Sequence, residues 1–238
     1  MKLLPKLSST LVVEPPKDDP SLHQGRVRTT PFVDGHFATH VYVSIDLEQN
    51  PRLKSFLEEV LAEVDKTESN VFRLFNTEND ANPVASNSGE LHLSVSRPLY
   101  LREHQRDNLR KRMRQLATES SRFNASFASF SILDNDEKTR SFLTLEIGAG
   151  HEELNTLSTA LNPLLRELRQ PSYYIQARYH ASIGWILTTE EAGPRFSKQL
   201  VQRLDLLYGE RLRALILEAE EVHVKIGKQV SKYQLGAP

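Results

Sequence analysis

The sequence predicts an α+β chain of antiparallel strands and amphipathic helices, and three observations carry that prediction. Segments such as His36 to Asp46 alternate apolar and polar residues with the period of a half-buried strand. Leu53, Phe56, Leu57, Val60, Leu61 and Val64 recur with the period of a helix face. Two apolar strands in different halves of the chain carry the same pattern, Leu91-His92-Leu93-Ser94 and Tyr179-His180-Ala181-Ser182. Each half therefore holds strands, a helix or two and one His-x-Ser strand, which reads as a weak internal duplication.

Taken in order, residues 1–24 read as a flexible arm, because Pro15-Pro16, Pro20 and Lys17-Asp18-Asp19 break any periodicity. The folded part, 25–238, is expected to be a single domain starting near Gly25. In the first strand Thr39, Val41, Val43 and Ile45 share one face and His40, Tyr42 and Ser44 the other. Asn50-Pro51 opens a helix, with an N-cap residue type followed by proline at the first helical position. Val71 to Phe75 reads as a short strand, and 76–88 as a polar loop before the His92 strand.

A second helix is expected over about Glu103 to Glu119, with Leu109, Met113 and Leu116 inward. Arg102, Arg106, Arg110 and Arg114 form a stripe beside them, readable as an RNA track or as a solvated face. Ser126 to Leu133 and Arg140 to Ile147 read as strands joined by a polar turn at Asp134 to Thr139. A third helix follows over roughly Glu152 to Leu168, where Pro163 is expected to kink or divide it. After the His180 strand come a helix over about Gly193 to Leu207 and strands at Leu212–Leu217, Glu221–Ile226 and Gln229–Leu235.

Composition narrows the function classes. The chain has no cysteine, so disulfides, thiolate metal sites and cysteine nucleophiles are excluded, and a cytosolic or nuclear place is the default. No apolar run approaches the ~20 residues of a membrane span, and Met1 to Thr10 lacks the apolar core of a secretory signal. A net charge of −1 argues against non-specific coating of nucleic acid but leaves room for a local basic cleft.

Residues two apart on a strand project from one face, roughly 6–7 Å apart. His92 thus accompanies Ser94, and His180 accompanies Ser182. Two imidazoles and two hydroxyls on rigid strands are the parts needed to cleave RNA without a metal. One imidazole takes the proton of a 2′-hydroxyl and the other protonates the departing 5′-oxygen, since a pKa near 6.5 makes both forms available. The hydroxyls hold the phosphoryl oxygens as charge builds. A lone histidine in an apolar strand is equally a satisfied core group, and a single His-x-Ser is a common accident. The other histidines (His23, His36, His40, His104, His151, His223) show no ligand spacing and read as surface or structural residues, with no zinc site. No glycine-rich phosphate loop and no Gly-x-Ser-x-Gly elbow occurs.

With this pair of motifs the chain resembles the two-histidine phosphoesterase superfamily. Further segments narrow the likeness to the U6 small nuclear RNA phosphodiesterases, the Usb or Mpn proteins. These are Gly25 to Arg28 with Ala38-Thr39-His40-Val41-Tyr42-Val43, Glu90 to Arg97, Asn135 to Phe142, Tyr174 with Tyr179 to Trp185, and Lys225-Ile226-Gly227-Lys228. The resemblance implies a bilobed, pseudo-two-fold α+β fold, with antiparallel sheets lining a central cleft and helices outside. It implies a nuclear 3′-to-5′ exoribonuclease that trims the uridine-rich 3′ tail of U6 RNA by 2′-OH transesterification. The product is a 2′,3′-cyclic phosphate or, after ring opening, a 3′-phosphate; no cofactor, metal or membrane is involved, and the chain is expected to be a monomer. His92 and His180 would be the catalytic pair, His92 as proton acceptor and His180 as donor, with Ser94 and Ser182 holding phosphate. Tyr174 occupies the position of an aromatic that stacks on a terminal base, a position a packed strand-entry tyrosine fills equally well. Asp136 would contact the nucleotide, although turn aspartates commonly only form turns, and Arg178 would contact phosphate. Two alternatives stand beside this: a cyclic phosphodiesterase acting on small nucleotides or tRNA ends, and a non-catalytic RNA-binding module.

Overall fold

The structure, a computed structural model, describes residues 20, 24–25, 33–75, 89–188 and 195–236. The expected arm, the Arg26 to Arg28 opening and the polar loop lie largely or wholly outside those residues. Among the described residues, ten strands and four α-helices follow one another: β1 His36–Asp46, α1 Pro51–Val64, β2 Phe72–Arg73, β3 Glu90–Ser94, β4 Leu99–Arg102, α2 Arg106–Glu119, β5 Phe123–Asp134, β6 Arg140–Ile147, α3 His151–Glu167, β7 His180–Leu187, α4 Lys198–Arg213, β8 Ile216–Ala219, β9 Glu221–Ile226 and β10 Gln229–Gln234. The fold is α+β, as the alternation and the helix stripes require.

The strands join into one open sheet in the order β10-β9-β1-β3-β7-β6-β5-β8, with β2 on β7 and β4 on β1. Its centre is the junction of β3 and β7, the two His-x-Ser strands. They pair antiparallel through Leu93 and Ala181, the middle residues of the two motifs. Both are fully buried on the opposite face of the sheet. Continuing that antiparallel pair sets His92 across from Ser182 and Ser94 across from His180. The motifs are therefore immediate neighbours in one sheet, related by a local two-fold. The C-terminal hairpin β9–β10 returns to the first-half side, where β9 pairs with β1.

Several elements differ from expectation for identifiable reasons. Helix α3 runs unbroken through Pro163. Pro163 and Thr159, whose carbonyl loses its helical donor, are exposed to water. Leu157, Leu161, Leu164 and Leu165 bury around them. Burial of ~1.5–3 kcal/mol per leucine outweighs the ~3 kcal/mol cost of an interior proline. Helix α4 starts and ends later than the expected 193–207, because Ser197 Oγ caps it by accepting from the Leu200 amide at 3.1 Å. Leu200, Leu204 and Leu212 carry its buried stripe, so Leu212 belongs to the helix and the following strand begins only at Ile216. Asn50 precedes Pro51 as expected, but its side chain donates to the Asp46 carbonyl at 2.8 Å instead of capping the helix. Strand β4 pairs with the first part of β1 and was not foreseen in the sequence.

Candidate active site

The β3/β7 junction floors a cavity of about 450 Å³. His92, Ser94, His180 and Ser182 all line it, together with His40, Glu90, Lys225, Arg73, Arg140, Phe142 and Trp185. The strand alternation that buries Leu91, Leu93, Ala181 and Ile183 beneath the sheet sends these side chains upward.

On the β7 side, the His180 Nδ1–H donates to the carbonyl of Arg178 at 2.6 Å. A carbonyl only accepts, so the proton sits on Nδ1 in the neutral ring and Nε2 is the atom left for chemistry. Burial lowers the pKa of His180, opposed by the Arg178 carbonyl bond and by Glu146. Glu146, its register partner on β6, is engaged by the guanidinium of Arg178. The visible service of Arg178 is therefore its carbonyl, and its charge is committed to a carboxylate.

On the β3 side, His92 Nε2 lies 3.2 Å from Glu90 Oε1. The Tyr42 ring stacks on His92 with centroids 3.8 Å apart, and the Tyr42 hydroxyl donates to the same Glu90 oxygen at 2.9 Å. Ser44 donates to the other Glu90 oxygen. Burial alone would raise the pKa of Glu90; the close His223 ring and hydrogen bonds from His92 and Ser44 overcome it and hold the group ionised, well below the usual carboxylate range. His40 Nε2 and Ser94 Oγ share a hydrogen bond of 2.9 Å. Burial first, then the positive charges of His92 and Lys225, push the pKa of His40 down to about 3. The neutral ring of His40 is therefore favoured near neutral pH. Lys225, opposite His40 in the β1–β9 register, lines the cavity without a carboxylate partner among the described residues.

The remaining expected residues lie apart from this cavity lining. Tyr174 is 44% exposed and donates its hydroxyl to Asp136 Oδ1 at 3.1 Å. Arg97 bonds Asp136 and rests over the Tyr174 ring, 4.7 Å from its centroid. Tyr174 and Asp136 therefore meet each other, in a cluster completed by Arg97. In the arginine stripe on α2, Arg106 and Arg110 are paired with Glu103 and Asp107.

Sequence reading passed over His40, Glu90, His223 and Lys225 as site residues. The outward alternation of His40, Tyr42 and Ser44 was a usable signal, since three polar side chains on one face of a central strand require partners. Glu90 stands two residues before His92 and so on its face, which was a second signal.

Comparison with known proteins agrees with the fold and with the motif resemblance. The U6 snRNA phosphodiesterase 1 of Drosophila melanogaster is 27% identical over 242 residues, covering 98% of this chain and 86% of the relative. The protein of the same name from Homo sapiens is 27% identical over 219 residues, covering 91% and 76%. Among solved structures, Kluyveromyces marxianus Usb1 with uridine monophosphate superposes with a TM-score of 0.54 at 19% identity, covering 84% of this chain and 97% of that one. A protein of Thermus thermophilus, TT0787, superposes with a TM-score of 0.50 at 14% identity, covering 84% and 98%. The family HVSL, described as an uncharacterised conserved protein, matches residues 4–234, and this chain belongs to it.

Proposed function

We propose that this chain is a 3′-to-5′ exoribonuclease that trims the oligouridine 3′ end of U6 small nuclear RNA in the nucleus, by 2′-OH transesterification that uses no metal. The observation that carries the reading is the Leu93–Ala181 pair, which sets two histidines and two serines around one point on a single sheet face. The substrate class follows from the relatives named U6 snRNA phosphodiesterase 1.

In this reading the phosphate next to the terminal nucleoside sits over the β3/β7 junction. The 2′-oxygen of the penultimate ribose attacks phosphorus, the bond from phosphorus to the terminal 5′-oxygen breaks, and a 2′,3′-cyclic phosphate remains on the shortened RNA. His92 takes the 2′-hydroxyl proton. Glu90 behind it accepts from Nε2, leaves the other ring nitrogen as acceptor, and stabilises the imidazolium as it forms, the role a carboxylate plays behind a catalytic histidine. His180 delivers a proton from Nε2 to the departing 5′-oxygen. Desolvation disfavours its charged form in the free protein, and the phosphate anion supplies the charge that lets it hold that proton. Ser94 and Ser182 donate to the non-bridging oxygens. The 2.9 Å bond between His40 Nε2 and Ser94 Oγ holds the serine, and with the His40 proton on Nε2 the serine proton is left for phosphate. Tyr174, braced by Asp136 and Arg97, stacks on a terminal base, a contact worth ~1–3 kcal/mol and tolerant of base identity. Opening of the cyclic phosphate by water, with the two histidines exchanging roles, yields a 3′-phosphate.

The test is incubation with a 3′-uridylated RNA in EDTA, followed by mass spectrometry of the ends with and without acid opening of cyclic phosphates. Stepwise loss of uridine and a cyclic or opened phosphate end are expected. Untouched RNA alongside opened small cyclic nucleotides overturns this reading in favour of a cyclic phosphodiesterase.

A further inference from the structure

Behind His92 the structure holds a partly buried chain of alternating charge, centred on buried His223, that the reaction above uses only at its first link. Glu90 Oε1 meets His92 Nε2 at 3.2 Å, and Glu90 Oε2 lies 3.2 Å from His223 Nδ1. His223 Nε2 in turn lies 2.8 Å from Glu221 Oε2. His223 is 1% exposed and the Glu90 side chain 16%. Burial opposes charge on His223, but the Glu90 and Glu221 carboxylates at its two nitrogens outweigh it and raise its pKa, favouring the imidazolium. The His223 Nδ1–Glu90 contact is a close ion pair without the alignment of a hydrogen bond. Removing one of these carboxylates leaves the charge on buried His223 less compensated, which is costlier than at the surface.

The chain runs across strands in register: Ser44 on β1 stands beside both His92 on β3 and Glu221 on β9, and Tyr42 stands beside His223. Glu90 lines the catalytic cavity and also a separate acidic pocket on its far side, shared with Asp46, Glu218, Glu220, Glu221 and Lys232. Tyr42 and Ser44 donate to Glu90 from β1, Gln234 on β10 donates to Glu221, and Lys232 faces His223 across the β9–β10 register. Every strong acceptor position on Glu90 is thus taken by a residue of this chain, which fixes the oxygen presented to His92.

We infer that Glu90, His223 and Glu221 form a positioning chain that holds the His92 ring by Nε2 and sets how readily it gains a proton. Glu90 favours the charged ring, and the His223 imidazolium one link further back moderates that pull. None of the three residues behind His92 touches the reacting atoms. The inference rests on His92 being the proton acceptor, but its test does not need activity.

The experiment is an NMR titration of the His92 ring in the free protein, for the parent and for His223→Gln, Glu90→Gln and the double variant. Loss of the His223 charge moves the His92 midpoint up by roughly one pH unit, and loss of the Glu90 charge moves it down by a similar amount. In the double variant the His223 effect disappears, because its route through Glu90 is gone. Midpoints that stay put, or that move the same way in both single variants, overturn the inference. If His223→Gln fails to fold, Glu221→Gln supplies the second arm: it releases the far partner, weakens the His223 charge, and moves the midpoint up. An inactive parent that shows these opposed shifts sinks the proposed reaction and leaves the chain standing.

Discussion

His40→Leu asks whether a serine held by a neighbour is worth more than a serine alone. Ser94 shares a 2.9 Å hydrogen bond with His40, a ring that burial and nearby charge keep neutral. One such bond is worth about 0.5–1.5 kcal/mol net, which corresponds to a rate factor of ~2 to 13 if it is fully expressed in the transition state. Ser94→Ala removes the phosphate donor itself, for which ~2.7–4 kcal/mol, or ~10²–10³ in rate, is the usual scale. The expected loss is therefore ~2- to 13-fold for His40→Leu and far larger for Ser94→Ala. The double variant should be no slower than Ser94→Ala alone, since the histidine then has nothing to hold. Single-turnover loss of the 3′-terminal uridine from a 5′-labelled RNA, at saturating enzyme, measures all three. If the two losses multiply, His40 works independently of Ser94 and the reasoning fails.

Three further outcomes follow from the same site. The His180 ring should titrate below its unperturbed 6.5 in the free protein, because burial disfavours the charged form, and its midpoint should rise when uridine 3′-monophosphate binds; an NMR titration showing a free-protein midpoint at or above 6.5 contradicts this. Lys225→Ala should weaken RNA binding and flatten the salt dependence by about 0.7 in the log–log slope, the share of one phosphate contact on a single strand; fluorescence anisotropy across a salt series reads it, and an unchanged slope removes Lys225 from the RNA path. His40 is depressed to about 3 in the folded protein, so the unfolded chain binds the extra proton as pH falls from ~6.5 towards 3, and stability drops through that window. His40→Leu should abolish that contribution, up to about 1.4 kcal/mol per pH unit, in urea unfolding compared between pH 7 and pH 5; parallel pH dependence in parent and variant refutes it.

How far the fold was readable depended on whether a local rule met competition. Strand β1, helix α1, strand β6 and strand β9 matched their expected bounds closely, because period and burial agree there. Pro163 misled because a local rule about proline ignores that its face is wet while four leucines around it are buried. The end of α4 misled because Leu212–Leu217 is a short apolar run, which suits a helix turn and a strand equally. For the site, spacing located both His-x-Ser pairs but could not show that their strands are adjacent, since that depends on long-range register. His40, His223 and Lys225 sit on β1 and β9, distant in sequence and brought together only by the return of the C-terminal hairpin. The alternation on β1 marked His40 as needing a partner, but which partner, and the roles of His223 and Lys225, lay beyond any reading of local pattern.

The most direct test of two imidazoles acting on a 2′-hydroxyl is an RNA with a single 2′-deoxy residue placed a few nucleotides inside its uridine tail. Stepwise trimming, in EDTA, should stop when that residue becomes penultimate, because the attacking oxygen is missing. Trimming that passes through the deoxy position at an undiminished rate would contradict the mechanism.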